Sequence, residues 1–136
     1  MKMIVCGHGT FAKGMLDALS CIIGQHDIHG VTFDTSRDEL VFEEQLRNEI
    51  AGLSNCEPVL IACDLVGGTP YKTAIKQSMA QPYIKVIGGI NLALLIELAV
   101  KISYAQEIDI EGILEEAKRQ MKMFTLTVME DEDEED

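Results

Sequence analysis

Three short stretches carry side chains that could do chemistry. In "GHGTFA" (residues 7–12) a histidine stands between two glycines, directly after the apolar run Met3–Cys6. Gly7 and Gly9 allow the backbone to turn sharply there. His8 is thereby placed at the mouth of a strand–turn–helix unit, where open α/β sheets bind ligands. In "PVLIACD" the residue Asp64 closes the clearest buried strand of the chain. An aspartate that accepts a hydrogen bond from one imidazole nitrogen fixes the tautomer and leaves the other nitrogen free as a nucleophile. In "GGTP" the residues Gly67 and Gly68 lead into a helix start whose free N–H groups and positive dipole end form an anion cradle, with the Thr69 hydroxyl beside it. Singly, Asp64 could be a strand-end residue bonding a nearby amide, and "GGTP" an ordinary capped turn. Together they are a nucleophile, its orienting acid and a phosphate cradle.

Other patterns compete for attention. "GHGTFA" also fits the glycine fingerprint of a dinucleotide-binding turn, Gly7–Ala12, with Asp34 ending the next strand where a ribose-binding acid belongs. Against this alternative, a histidine between the glycines crowds a pyrophosphate, and the chain has room for one nucleotide-binding half only. His26 and His29 have H-x-x-H spacing but no further ligand cluster, so no metal site is assigned. Cys63 precedes Asp64 in its strand and points to the opposite face, into the core. No P-loop motif is present, so phosphate chemistry here need not involve bound ATP or Mg²⁺.

The elements that must position these residues alternate along the chain. Strands are expected at Met3–Cys6, Ile28–Asp34, Pro58–Asp64 and Tyr83–Gly89, with a fifth at Met123–Met129. The intervening helices carry apolar stripes at helical spacing. The first is Phe11, Met15, Leu16 and Leu19, closed by Gly24. The second is Val41, Leu46, Ile50 and Leu53, capped by Ser36 or Asp38. Thr69 is expected as N-cap of the third, with Pro70 at its first position. Asn91 caps a fourth helix, Leu92–Ile102, and Ile110–Met123 forms a fifth. The predicted fold is α/β: a doubly wound three-layer α/β/α domain whose parallel sheet has the order 2-1-3-4, plus a C-terminal strand. In that order strands one and three are neighbours, and His8 and Asp64 share one sheet edge.

Composition agrees with one domain over residues 1–129. At 136 residues, 47% of them apolar and none Trp, the chain can bury an aliphatic core. Seven of the twelve net negative charges lie in the acidic tail Glu130–Asp136, read as disordered; without it the charge is −5. This balance excludes nucleic acid as a partner. No apolar run reaches membrane-spanning length and no signal-peptide pattern opens the chain. Cys6, Cys21, Cys56 and Cys63 lack paired spacing, which fits reduced, mostly buried thiols in the cytoplasm. Met121 and Met123 are read as core filler.

"GHGTFA", "CDLVGGTPY" and "VIGGINLALLIE", in this order and at these intervals, resemble the IIA component of the mannose family of the bacterial sugar phosphotransferase system. The resemblance spans about residues 1–103 by motif. It implies a phosphocarrier without cofactor or metal, in which His8 accepts a phosphoryl group from HPr and passes it to the IIB component, serving the membrane components IIC and IID. It also implies Asp64 as the hydrogen-bond partner of His8, and Gly68, Thr69 and Gly9 as the phosphoryl-binding residues. A homodimer, in which the C-terminal strand is exchanged onto the partner's sheet, is implied as well. The family's mannose member carries Thr-Trp where this chain has Leu65–Val66, and Ser-Pro-Phe-Asn where it has Thr69–Pro70–Tyr71–Lys72; Thr for Ser keeps the hydroxyl. The IIA–IIB linker of some members is missing, so IIB is expected on a separate polypeptide.

Overall fold

A continuous apolar run makes the first strand, and the computed structural model, which describes residues 1–53, 57–104 and 107–126, gives β1 as Lys2–His8. Its interior, Met3–Gly7, is buried, as expected of a strand covered on both faces. The remaining elements alternate: α1 (Phe11–Ile23), β2 (His29–Phe33), α2 (Glu39–Gly52), β3 (Val59–Cys63), α3 (Thr69–Ala80), β4 (Ile84–Gly88), α4 (Leu92–Tyr104) and α5 (Ile110–Arg119). The four strands are parallel in the order β2-β1-β3-β4, as predicted. In this register Cys6 faces Cys63 and His8 faces Phe33.

The pleat divides the core into two layers. Met3, Val5, Leu60, Ala62 and Ile87 point to one face, where Leu19 of α1, Leu95 and Leu98 of α4 and Ile113 of α5 cover them. Ile4, Cys6, Val31, Phe33, Ile61 and Cys63 point to the other, under Phe42, Leu46 and Ile50 of α2 and Ala74 of α3. The i, i+4, i+8 stripe of α2 is thus Phe42–Leu46–Ile50, with Val41 at its margin. Helix starts are set by side chains: Asp38 accepts the Leu40 N–H at 2.9 Å, Asn91 the Leu94 N–H at 2.9 Å and Asp109 the Gly112 N–H at 3.1 Å.

Four expectations are corrected. β1 runs two residues further than its apolar run, so Gly7 is strand rather than turn. A Cβ there would lie 2.6 Å from the Phe11 ring, so Gly7 makes room for that ring. Gly9, at φ +54°, makes the turn. Thr69 is the first residue of α3, and Gly68 holds the N-cap position. Helix α5 ends at Arg119, four residues early: Gln120 and Met121 N–H bond to Ala117 and Lys118 carbonyls three residues back, which tightens and closes the helix. Met121 and Met123 are consequently exposed rather than core, as are Phe124 and Leu126. Residues 121–125 join no strand of their own chain. Leu126 is helical rather than extended; β-prone side chains make a strand only against a partner edge, and residues 127–136, with the rest of the expected fifth strand and the acidic tail, lie outside the described residues.

Candidate functional site

His8 is the last residue of β1, and Asp64 follows β3 directly beside it. One carboxylate oxygen, Asp64 Oδ2, accepts both the His8 backbone N–H at 2.9 Å and the ring Nδ1 at 2.8 Å. The Asp64 N–H returns a bond to the Cys6 carbonyl at 3.1 Å, continuing the β1–β3 ladder past the strand end. An ionised carboxylate only accepts, so Nδ1 carries the ring proton and Nε2 presents its lone pair. The aspartate side chain is 12% exposed and the histidine side chain 37%. Asp64 Oδ1 is buried and has no hydrogen-bond partner.

Glycines and aromatic rings fix the pose of the ring. The Phe33 ring meets the imidazole edge-to-face at 5.5 Å and is backed by Phe42 at 5.7 Å. On another side lies Gly68: a Cβ built there would stand 3.0 Å from His8 Cε1 and 3.6 Å from Nε2. Gly68 has ordinary extended backbone, φ −76° and ψ 171°, so its requirement is space rather than conformation. Gly67, at φ +83°, supplies the turn. Gly88 at the end of β4 has the same steric logic one layer out. A Cβ there would come within 2.8 Å of both the Tyr71 ring and Val66 Cγ2, the residues that brace the 65–68 loop. The rim beyond is apolar, with Leu65 and Val66 more than half exposed.

The backbone donors around Nε2 are partly committed. Gly9 N–H bonds the Phe33 carbonyl at 3.0 Å, and Gly68 N–H bonds the Leu65 carbonyl at 3.3 Å. The Thr69 and Tyr71 N–H groups, in the first turn of α3, have no acceptor within the described residues. The open amide at Thr69 directly follows Gly68, whose Cβ position faces the His8 ring, and Gly9 supplies a turn. The Thr69 hydroxyl donates to Glu39 Oε1 at 3.3 Å. This contact spans 30 residues of sequence and no local pattern announces it.

The remaining candidates have other partners. Asp34 accepts the Ser36 hydroxyl at 2.7 Å and the Ser36 N–H at 3.0 Å, and these bonds hold its carboxyl below the usual range. Both bonds go to Oδ1, so this carboxylate closes a local turn with one oxygen and leaves Oδ2 open. His26 Nδ1 accepts the Ile28 N–H while Nε2 meets the Ser20 hydroxyl, and His29 pairs with Glu49 at 2.8 Å. The two imidazoles share no ligand, and no group of three His, Cys, Asp or Glu side chains able to hold a metal occurs among the described residues. Cys6 and Cys63 are buried side by side; the hydrogen bond with Cys63 and then burial push the Cys6 thiol well up. Cys21 is exposed. No described helix is long and apolar enough to cross a membrane.

Residues 2–118, which include His8, Asp64 and the start of α3, match the family model described as the PTS system fructose IIA component. The chain belongs to this family of phosphotransferase-system IIA components, proteins with a phosphotransfer role in sugar uptake. It is 32% identical over 95 residues to the sorbose-specific EIIA component of Klebsiella pneumoniae, covering 70% of each chain. Among solved structures, the phosphotransferase system component EIIA of Streptococcus agalactiae superposes with a TM-score of 0.81 at 26% identity, covering 90% of this chain and 96% of that one. The mannose/sorbose-specific IIA subunit of Enterococcus faecalis gives 0.79 at 27%, covering 91% and 94%.

Proposed function

We infer that the protein is a phosphoryl carrier that takes a phosphoryl group from the phosphohistidine of HPr onto His8 Nε2 and passes it to a IIB component in the cytoplasm. The Nδ1–Asp64 bond at 2.8 Å carries this reading, because it leaves Nε2 unprotonated and open. In the first transfer the Nε2 lone pair attacks phosphorus in line as the P–N bond to the HPr imidazole breaks. One P–N bond forms, one breaks, and the departing ring keeps its electron pair. His8 then carries imidazolium character, which the Asp64 carboxylate offsets through the proton on Nδ1. That positive ring is a good leaving group, so the same contact prepares the second transfer, to IIB.

The phosphoryl oxygens are received by the Thr69 N–H and the positive end of α3, with the Thr69 hydroxyl in reach of the same space. Gly68 clears the approach beside Nε2, and Gly9 brings the start of α1 alongside. The apolar rim at Leu65 and Val66 faces the incoming partner protein. The exposed apolar side chains Met121, Met123, Phe124 and Leu126 support a homodimer in which the C-terminal segment pairs with the partner's sheet edge. The membrane components IIC and IID are served only through IIB.

Incubation with enzyme I, HPr and labelled phosphoenolpyruvate tests the assignment. Label should enter the wild type and not His8→Ala. As a phosphoramidate it should be lost in mild acid and survive alkali. Acid-stable label would place the phosphoryl group on a hydroxyl and overturn His8 as acceptor.

A further inference from the structure

Glu39 opens α2, yet the cap of that helix is already made by Asp38, whose carboxylate takes the Leu40 N–H. In the groove between α2 and α3, Lys76 at 3.6 Å and Arg47 at 3.5 Å both approach Glu43, while Lys72 lines the same groove without closing an ion pair to Glu39. Glu39 is left exposed, with its Oε1 accepting the Thr69 hydroxyl at 3.3 Å. A threonine hydroxyl has one proton. While it points at Glu39, the oxygen offers only lone pairs to an anion bound at the start of α3, and lone pairs repel phosphoryl oxygens.

We propose that Glu39 is a positioning residue that sets how tightly the site holds a phosphoryl group, by competing with the phosphoryl oxygens for the Thr69 hydroxyl proton. The inference rests on the phosphocarrier reading of His8. Its physical content is a balance. A carrier gains nothing from a donor that stabilises the phosphorylated state without stabilising the transfer step, because that makes it a poorer source for the next protein. The open Thr69 amide cannot be withdrawn, being fixed by the helix, whereas the hydroxyl can turn. An ionised carboxylate is a stronger acceptor than a neutral group, so Glu39 holds the hydroxyl back until the phosphoryl charge outbids it, and reclaims it on departure.

The experiment is the equilibrium of phosphoryl exchange between HPr and the protein, read by ³¹P NMR or by gel separation of the phosphorylated forms. Glu39→Ala removes the competitor and keeps the Asp38 cap, so the fold should stand. It should shift the equilibrium about three- to tenfold toward the phosphorylated protein, the effect of one modest, solvent-exposed hydrogen bond, and slow onward transfer to IIB. In a Thr69→Ala background the same substitution should change the equilibrium less than about twofold. In Thr69→Ser, which keeps a hydroxyl, the full shift should return. A shift below twofold in the wild-type background overturns the proposal. So does an equal shift with and without the hydroxyl, which would mean simple charge repulsion. A wild-type protein that takes no phosphoryl group from HPr would instead refute the carrier reading and this inference with it.

Discussion

Replacing Asp64 by Asn tests the orientation of His8 most directly. Asp64 Oδ2 holds two His8 donors, at 2.8 and 2.9 Å, while Oδ1 is buried with no partner. An asparagine that keeps its oxygen toward His8 must bury its NH₂ in the space where Oδ1 finds nothing to bond. Flipped, it sets NH₂ against two N–H donors and drives the ring toward the tautomer with the proton on Nε2. Either arrangement also removes the charge that offsets the imidazolium. A hydrogen bond to a charged group contributes about 1.5–3 kcal/mol, and the buried unpaired amide adds to the cost. The analogous substitution in a catalytic triad costs about 10⁴ in rate. This histidine is 37% exposed, so solvent shares its charge, and the expected loss is roughly 10²–10³, or about 2.7–4.1 kcal/mol. Single-turnover transfer from phosphorylated HPr, by rapid quench, measures it, and Thr69→Ala under the same conditions should cost tenfold or less. If Asp64→Asn transfers within tenfold of wild type, or if Thr69→Ala is the more damaging change, the carboxylate does not orient the nucleophile.

Gly68→Ala should cut transfer about 10- to 100-fold with little loss of melting temperature, since its backbone angles suit alanine and only the His8 ring at 3.0 Å is in the way; normal transfer would show that the ring does not depend on this clearance. Gly88→Ala should destabilise by about 1–3 kcal/mol in urea unfolding, because the added methyl lies 2.8 Å from Tyr71 and Val66; an unchanged midpoint would remove Gly88 as the support of the 65–68 loop. A thiol reagent near neutral pH should modify Cys21 and spare Cys6 and Cys63 until the protein unfolds, as burial and a raised pKa keep Cys6 protonated; mass spectrometry of the native adduct decides it. Removing residues 130–136 should leave the oligomer intact and removing 124–136 should weaken it; full-length protein running as a monomer in light scattering at micromolar concentration would end the strand-exchange reading.

What the sequence made legible follows from range. β1 and β3 are legible as short apolar runs, the strand order follows from the common doubly wound topology, and the pairing of His8 with Asp64 follows once β1 and β3 are neighbours. Gly7 was misread as a turn because a glycine that yields space to Phe11 looks, in sequence, like one that bends the chain. Thr69 was taken for the cap because the residue before a proline suits that role, whereas the Gly68 backbone fills it without a side chain. The Glu39–Thr69 bond depends on how α2 and α3 settle against each other, and packing of that kind has no periodic signature. The 121–126 segment has the composition of a strand, but an edge to pair with is a property of the surroundings.

The pair of hydrogen bonds that His8 donates to Asp64 Oδ2 anchors the imidazole to the sheet frame instead of a loop. Nε2 is therefore a single fixed terminal, and whatever docks there, donor or acceptor, must use the same approach. Two partners cannot be served at once. If the protein relays a phosphoryl group as proposed, its flux obeys ping-pong kinetics, in which a discharged donor that lingers on the surface blocks the acceptor as surely as a competitive inhibitor. Throughput is then governed by how fast partners vacate the rim at Leu65 and Val66, so weak, fleeting docking is an advantage. A substitution that tightens the grip on either partner would slow sugar uptake while leaving the chemistry at His8 untouched.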